Sequence, residues 1–481
     1  MLIKDDMLRE AVSRTLQIPE NEITKEALTK LVKLSARSAN IVSLKGLQYA
    51  TNLNYLDLCG NAIEDLDPIK DLKEIEYLNL AKNMLRDIQA LRGFRQLLRL
   101  DISRNNLYTM DISALAGMIN LEELNLERSK VDNLSYLENV KKLKTLHVGI
   151  ENGPFPLSIL GMLDSLKELH MNKMWLYDIS DLTYLKHIEV LDLSTNLFSD
   201  LSPLQYMKDS LRSLNLTNNE YLNDLSILEE FENLEVLEIS FDHIKDFSFL
   251  NKLKNLKDFR TTQSGLKDLN NLKGLTKLEK LDISENRVVN TDVLKDMEKL
   301  RYFKASDCYL QDIEFLKNAK DLEELNVFNN SIANIDVLKG CEHMTAMDVG
   351  SNKINDIDCL KDMLNLECLG LANNNIKDLS SLRYLTNLSS IDLYNNVIDD
   401  LEPLEKLINL SSLRLDHNSV MSLEPLVNCI YLSSLTLKAN YVSDVTPLTK
   451  LPNLYELRLD ENPIEDISML EDMEYYDKFS Y

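Results

Sequence analysis

No Cys-x-x-Cys pair occurs among the six cysteines, Cys59, Cys308, Cys341, Cys359, Cys368 and Cys429, and the closest two stand nine residues apart. That spacing excludes a zinc or disulfide framework and fits reduced thiols in a reducing compartment. Basic residues are few: 53 Lys and Arg against 78 Asp and Glu leave a net charge of −25. Such a surface argues against a nucleic-acid backbone or an anionic membrane as the main partner. No run of about 18 apolar residues is present to span a bilayer as a helix. The opening residues, MLIKDDMLREAV, lack the apolar core of a signal peptide. The expectation is a cytoplasmic protein, with secretion or a cell-surface place as the alternative if an upstream leader was removed. Catalytic signatures are missing as well, with no GxGxxG, P-loop, GxSxG or HExxH. The expected chain therefore has no enzymatic activity, no cofactor and no metal.

What the sequence does have is one unit, copied. Leu388 to Asn409, LSSIDLYNNVIDDLEPLEKLIN, follows L-x-x-I-x-L-x-x-N-x-I-x-x-L-x-x-L, and the frame returns at Leu410 and Leu432. Indexed by the Asn position, the units are Asn61, Asn83, Asn105, Ser129, Glu151, Met174, Asn196, Asn219, Asp242, Ser264, Asn286, Cys308, Asn330, Asn352, Asn374, Asn396, Asn418, Asn440 and Asn462. These nineteen are 22 to 24 residues apart, and thirteen carry Asn. One such unit cannot bury its own apolar edge, whereas a stack of them can.

The spacing predicts an α/β-type solenoid: a curved leucine-rich repeat with a parallel β-sheet on the concave face and 3₁₀ or extended turns on the convex face. The alternating leucines of Leu56-Asp57-Leu58 point inward from a short strand. The Asn amide both donates and accepts, so it satisfies backbone groups in the turn that leaves the strand. Where Asn is replaced by Cys308, a buried thiol is expected. The recurring Asp65, Asp200, Asp246, Asp378 and Asp444 precede turns, and their carboxylates fit acceptors for turn N–H groups rather than a cation site.

Residues 1–33 read as a helical N-terminal cap. Leu8, Ala11, Val12 and Leu16 share one helical face, Pro19 breaks it, and Thr24 caps a second helix bearing Ala27, Leu28, Leu31 and Val32. Residues 34–470 form the solenoid, one degenerate unit plus nineteen regular ones. Residues 471–481 drop the frame and form a C-terminal cap or tail, with Met473, Tyr475, Tyr476 and Phe479 as its apolar residues.

The stretches Leu410–Leu426 and Leu432–Leu448, with NAIEDLDPI at 61–69 and NPIEDISML at 462–470, resemble the internalin-like class of bacterial leucine-rich repeats. The helical cap LREAVSRTL and ITKEALTKL running into LKGLQYATNLNYLDL is similar to that class too. The resemblance implies a concave face that holds protein partners. A regulatory subunit or inhibitor wrapping an enzyme such as a phosphatase is the alternative, and an internalin-like exported adhesin is a third.

The strand positions that face solvent are mostly small acids and amides, and the departures mark candidate sites. Phe241, Arg260, Tyr302, Lys304, Phe328, Tyr394 and Arg414 form the candidate partner-binding set, since exposed aromatics gain little for folding and anchor interfaces. Ordinary cross-strand packing is the competing account. A secondary patch comprises His147, His170, Phe155 and Trp175, in a stretch where three successive units lose Asn. His147 and His170 with Glu168 supply too few ligands for a metal. The partner is expected to be protein, and the chain a monomer.

Overall fold

In the computed structural model the described residues are all except 106–108, 132, 150–155, 242–243, 467, 472–477 and 481. The chain divides into two compact units, Met1–Asp246 and Phe247–Tyr481, each described by itself below.

The first unit begins with helix Asp6–Leu16, whose Leu8 and Val12 are fully buried. Asp5 caps it: one carboxylate oxygen accepts from Leu8 N–H at 3.0 Å, the other from Val42 and Ser43 N–H at 2.9 and 3.0 Å. One side chain thus ends the helix and ties it to the first repeat. Burial pushes the Asp5 carboxyl up, but these N–H bonds outweigh it and hold the group below the usual range. The second helix is a single turn, Lys25–Leu28, with Thr24 Oγ1 accepting from Ala27 N–H. It ends before Val32, which is exposed rather than on a buried helical face. The next strand starts at Lys33 and turns alternate residues outward.

Among the described residues of this unit ten three-residue strands follow, from Lys33–Ser35 to Val236–Glu238. They pair in parallel one repeat apart, so that Leu56 lies beside Leu78 and Leu78 beside Leu100. The central residue of each strand is buried. A fully buried leucine contributes roughly 2 kcal/mol, and the stack repeats that contribution strand after strand. The second unit holds the strands Asp258–Arg260 to Glu456–Arg458 in the same parallel pairing. Lys478–Ser480 adds a further parallel strand beside Glu456–Arg458. Met473, Tyr475 and Tyr476 lie outside the described residues.

Behind the strands run 3₁₀ segments. Pro68, Pro203, Pro403, Pro425 and Pro447 stand in their first turns, where a missing N–H costs nothing. Each is preceded by an Asx or hydroxyl turn: Asp65 Oδ1 accepts from Asp67 N–H at 2.8 Å, Asp200, Asp400 and Asp444 do likewise two residues on, and Ser422 Oγ accepts from Glu424 N–H. Asp378 makes the same turn before Ser380. At Asp65, Asp200, Asp378 and Asp444 the aspartate series is turn chemistry. Among the described residues no helix is long and apolar enough to cross a membrane.

Candidate functional site

The strand face is shaped by the turn that follows each strand. Asn374 shows how: its amide donates to Leu371 O in its own repeat and to Val349 O in the preceding one, at 3.0 and 3.1 Å. Its Oδ1 accepts from Ile354 N–H at 2.9 Å. The residue before the Asn position is left-handed in both units, as at Lys82, Thr195, Glu285, Asn373 and His417. This turn was not visible in the sequence, because residues as different as Lys82, Thr195, Glu285 and His417 occupy it.

Where Asn is missing, the turn changes in a regular way. A second left-handed residue appears just after the Asn position, at Asn40, Lys130, Trp175, Gly265 and Tyr309. The next repeat's Asn oxygen then takes two N–H groups: Met174 and Leu176 on Asn196, Cys308 and Leu310 on Asn330. Trp175 and Tyr309 are thereby held at φ 60° and 61° with 64% of each side chain's residue exposed. A bulky side chain there costs about 1 kcal/mol.

In the second unit, Arg260, Asp282, Lys304 and Asn326 are successive cross-strand neighbours. Arg260, Tyr302 and Lys304, three of the expected set, line one recess of about 290 Å³ with Asp258, Asp282 and Glu324. Its charges are locally matched. Arg260 lies 2.8 Å from Asp258 and Lys304 2.7 Å from Glu324, while Lys280 Nζ stands 4.7 Å over the Tyr302 ring. Tyr302 OH donates to Glu323 at 2.8 Å, and that bond raises the phenol's pKa.

A second recess of about 240 Å³ adjoins at Glu324 and runs to Asp392. Small side chains at Ala346, Gly370 and Ser390 make the room. A Cβ on Gly370 would come within 2.6 Å of Asp348 Oδ1, so the dip depends on glycine. Burial pushes the Asp348 carboxyl up. Beyond it, Arg414 reaches Asp392 and Asp416 at 3.4 and 3.2 Å and lies over the Tyr394 ring at 4.3 Å.

The expected aromatic anchors are less exposed than the sequence implied. Tyr302, Phe328 and Tyr394 are half-buried. Long neighbours cover them: Lys280 on Tyr302, and Arg414 with His417 on Tyr394. Phe241 belongs to the first unit. It is 48% exposed and left-handed, in the turn rather than on the strand.

Also in the first unit, the rings of His147 and His170 stack at 4.1 Å and 7°. Glu127 and Asp192, not singled out in the sequence, flank them, each 3.9 Å from an imidazole Nδ1. Burial, aided by His170, pushes His147 down to about 4. Burial pushes Glu127 up. Glu168 instead accepts from Thr145 Oγ1 at 3.3 Å. Among the described residues no three His, Cys, Asp or Glu side chains converge as metal ligands. Phe155 lies outside the described residues.

A second asparagine ladder was missed. Asn52, Asn120, Asn233, Asn365, Asn387, Asn409 and Asn453, just before the strand segments, donate to carbonyls 23 to 25 residues earlier. Its signal was the repeated Asn-Leu pair at the head of the unit.

Two family models match within the chain, one described as leucine rich repeat over residues 51–107 and one as leucine rich repeats in two copies over 364–406. No curated protein matches. Similar solved structures include a complex of TLR13 with ssRNA13, 17% identical, with a TM-score of 0.56 over 93% of this chain and 84% of that one. Another is the ectodomain of the plant receptor kinase GASSHO1/SCHENGEN3 from Arabidopsis thaliana with CASPARIAN STRIP INTEGRITY FACTOR 2: 17% identical, TM-score 0.51, covering 90% of this chain and 68% of that one. An internalin, InlF from Listeria monocytogenes, is 22% identical over 95% of both chains, with a TM-score of 0.37. The chain has the leucine-rich repeat fold.

Proposed function

We propose that this chain is a non-catalytic scaffold holding a partner protein on its strand face, the concave side of a leucine-rich repeat, centred on the paired recesses of the second unit. Leucine-rich repeat proteins are generally protein-interaction scaffolds and generally non-catalytic. The observation that carries the finer reading is the convergence of Arg260, Tyr302 and Lys304 on one recess. The site is built on strands, so little order is lost when it binds. Its mixed charges favour a protein surface carrying both signs over a nucleic-acid backbone. The proposed organisation is a cap at 1–33, repeats at 34–470 and a terminal segment at 471–481, working as a cytoplasmic monomer.

The test is affinity capture from cells of the source organism, with Arg260→Ala/Lys304→Ala as control. One protein retained by the parent and lost by the variant, at unchanged melting temperature, supports the reading. Equal retention by both rejects it.

A further inference from the structure

A groove of about 230 Å³ lies between two successive 3₁₀ segments of the first unit, Ser180–Tyr184 and Ser202–Met207. Its floor includes Phe198 and Ile179, each 1% exposed. Two tyrosines line it while standing in solvent, Tyr177 at 74% exposure and Tyr206 at 50%. Folding gains little from either ring in that state, and such rings are typical interface anchors. The frame position of Tyr177 holds Glu64, Lys377 and Asp399 elsewhere, and that of Tyr206 holds Gly274, Lys406 and Lys450, with tyrosine again at Tyr184 and Tyr384. Aromatics on both sides are peculiar to this groove among the described repeats.

The charge has one sign. Asp178 and Asp200 line the groove, and no lysine or arginine does. Each carboxylate is fixed by the serine two residues on. Asp178 accepts from Ser180 N–H and Oγ at 2.8 and 3.0 Å, Asp200 from Ser202 at 2.8 and 2.7 Å. The Ser202 N–H bond holds Asp200 below the usual carboxylate range, so the charge persists.

We infer that this groove binds a proline-rich segment carrying arginine. Aromatic-walled grooves accept the ridges of a polyproline II helix, which comes pre-ordered and brings few N–H donors that need partners. The two carboxylates and the tyrosine faces both attract guanidinium. The site is separate from the strand-face recesses, and it engages a different kind of ligand.

The probe is a labelled synthetic peptide of six prolines flanked at each end by two arginines, titrated with the full chain and followed by fluorescence anisotropy. Saturable one-to-one binding is expected. Tyr177→Ala/Tyr206→Ala weakens it at least about tenfold without changing the melting temperature, as loss of two anchors does. Glutamate in place of the flanking arginines weakens it comparably. Binding is unchanged in Arg260→Ala/Lys304→Ala. The inference is overturned if the parent does not bind, if the tyrosine variant binds equally well, or if a Gly-Ser peptide with the same arginines binds as tightly.

Discussion

The Sγ of Cys308 lies 3.0 Å from the carbonyl oxygen of Ile283, where an asparagine amide sits in neighbouring repeats. Asn330 makes the equivalent bond to Ala305 at 2.8 Å, and Ser129 Oγ bonds Ile102 at 2.8 Å. At Cys308 and Ser129 a thiol and a hydroxyl thus serve in the ladder where the amide is gone.

This placement makes the thiols unequal. Burial pushes Cys308 and Cys429 up to about 11 and Cys359 to about 12, and raises Cys341. Cys368 is exposed. Iodoacetamide at neutral pH, read by peptide mass spectrometry, should label Cys368 first and the four buried thiols only after unfolding. Rapid labelling of Cys308 in the native chain would contradict its buried state. Stability should also fall as pH rises from about 9 toward 11, because the unfolded thiols ionise while the folded ones keep their protons.

Asn374→Ala leaves Ile354 N–H without a partner in a buried turn, while Val349 O and Leu371 O each keep one amide donor, from Asn352 and Asn396. The expected cost is about 1–3 kcal/mol, since the orphaned N–H loses its bond and gains no water. Hydrogen exchange at Ile354 N–H reads it directly, and should accelerate far more than at amides of distant repeats. Exchange unchanged at that amide would show the ladder to be dispensable.

Trp175→Gly and Tyr309→Gly should stabilise the chain. Glycine accepts a φ near 60° without the steric penalty an indole or phenol incurs. The gain is about 0.5–1 kcal/mol, less the added freedom of glycine in the unfolded chain. A lowered melting temperature in both variants would show that these rings support the fold after all.

Beside Glu127 and stacked on His170, His147 should titrate unlike free imidazole. A proton NMR titration of His147 is expected to show its midpoint near 4. The folded His147 resists a proton that the unfolded chain accepts, so its contribution to stability falls as pH drops from 6.5 toward 4. Glu127 works the other way: its raised pKa lets the folded chain take a proton first, offsetting part of that loss. A midpoint near 6.5 would mean that the ring is hydrated.

The repeat frame, the strand and the asparagine ladder were legible because each uses a fixed residue type at a fixed spacing. The aspartate turns at Asp65 and Asp200 were legible for the same reason. The left-handed turn residue was not, because Lys82, Thr195 and Phe241 share a backbone angle and no chemistry. The recesses were half legible. Arg260, Tyr302 and Lys304 departed from the background in sequence, but the neighbouring dip comes from missing volume at Gly370, and no motif announces an absence. Tyr177 and Tyr206 belong to different repeats and different frame positions, so only folding brings them to one groove.

Each ladder asparagine reaches toward the amino terminus, to groups 20 and 25 residues earlier. During synthesis a repeat therefore leaves the ribosome unlatched, and is closed only when its successor's asparagine arrives. The first repeat obeys this too: it has Ala39 at the Asn position, and Asn61 Oδ1 accepts from Ala39 and Ile41 N–H. Growth of the fold trails growth of the chain by one repeat. At the usual pace of translation, about 5–20 residues per second, that lag is on the order of one to a few seconds.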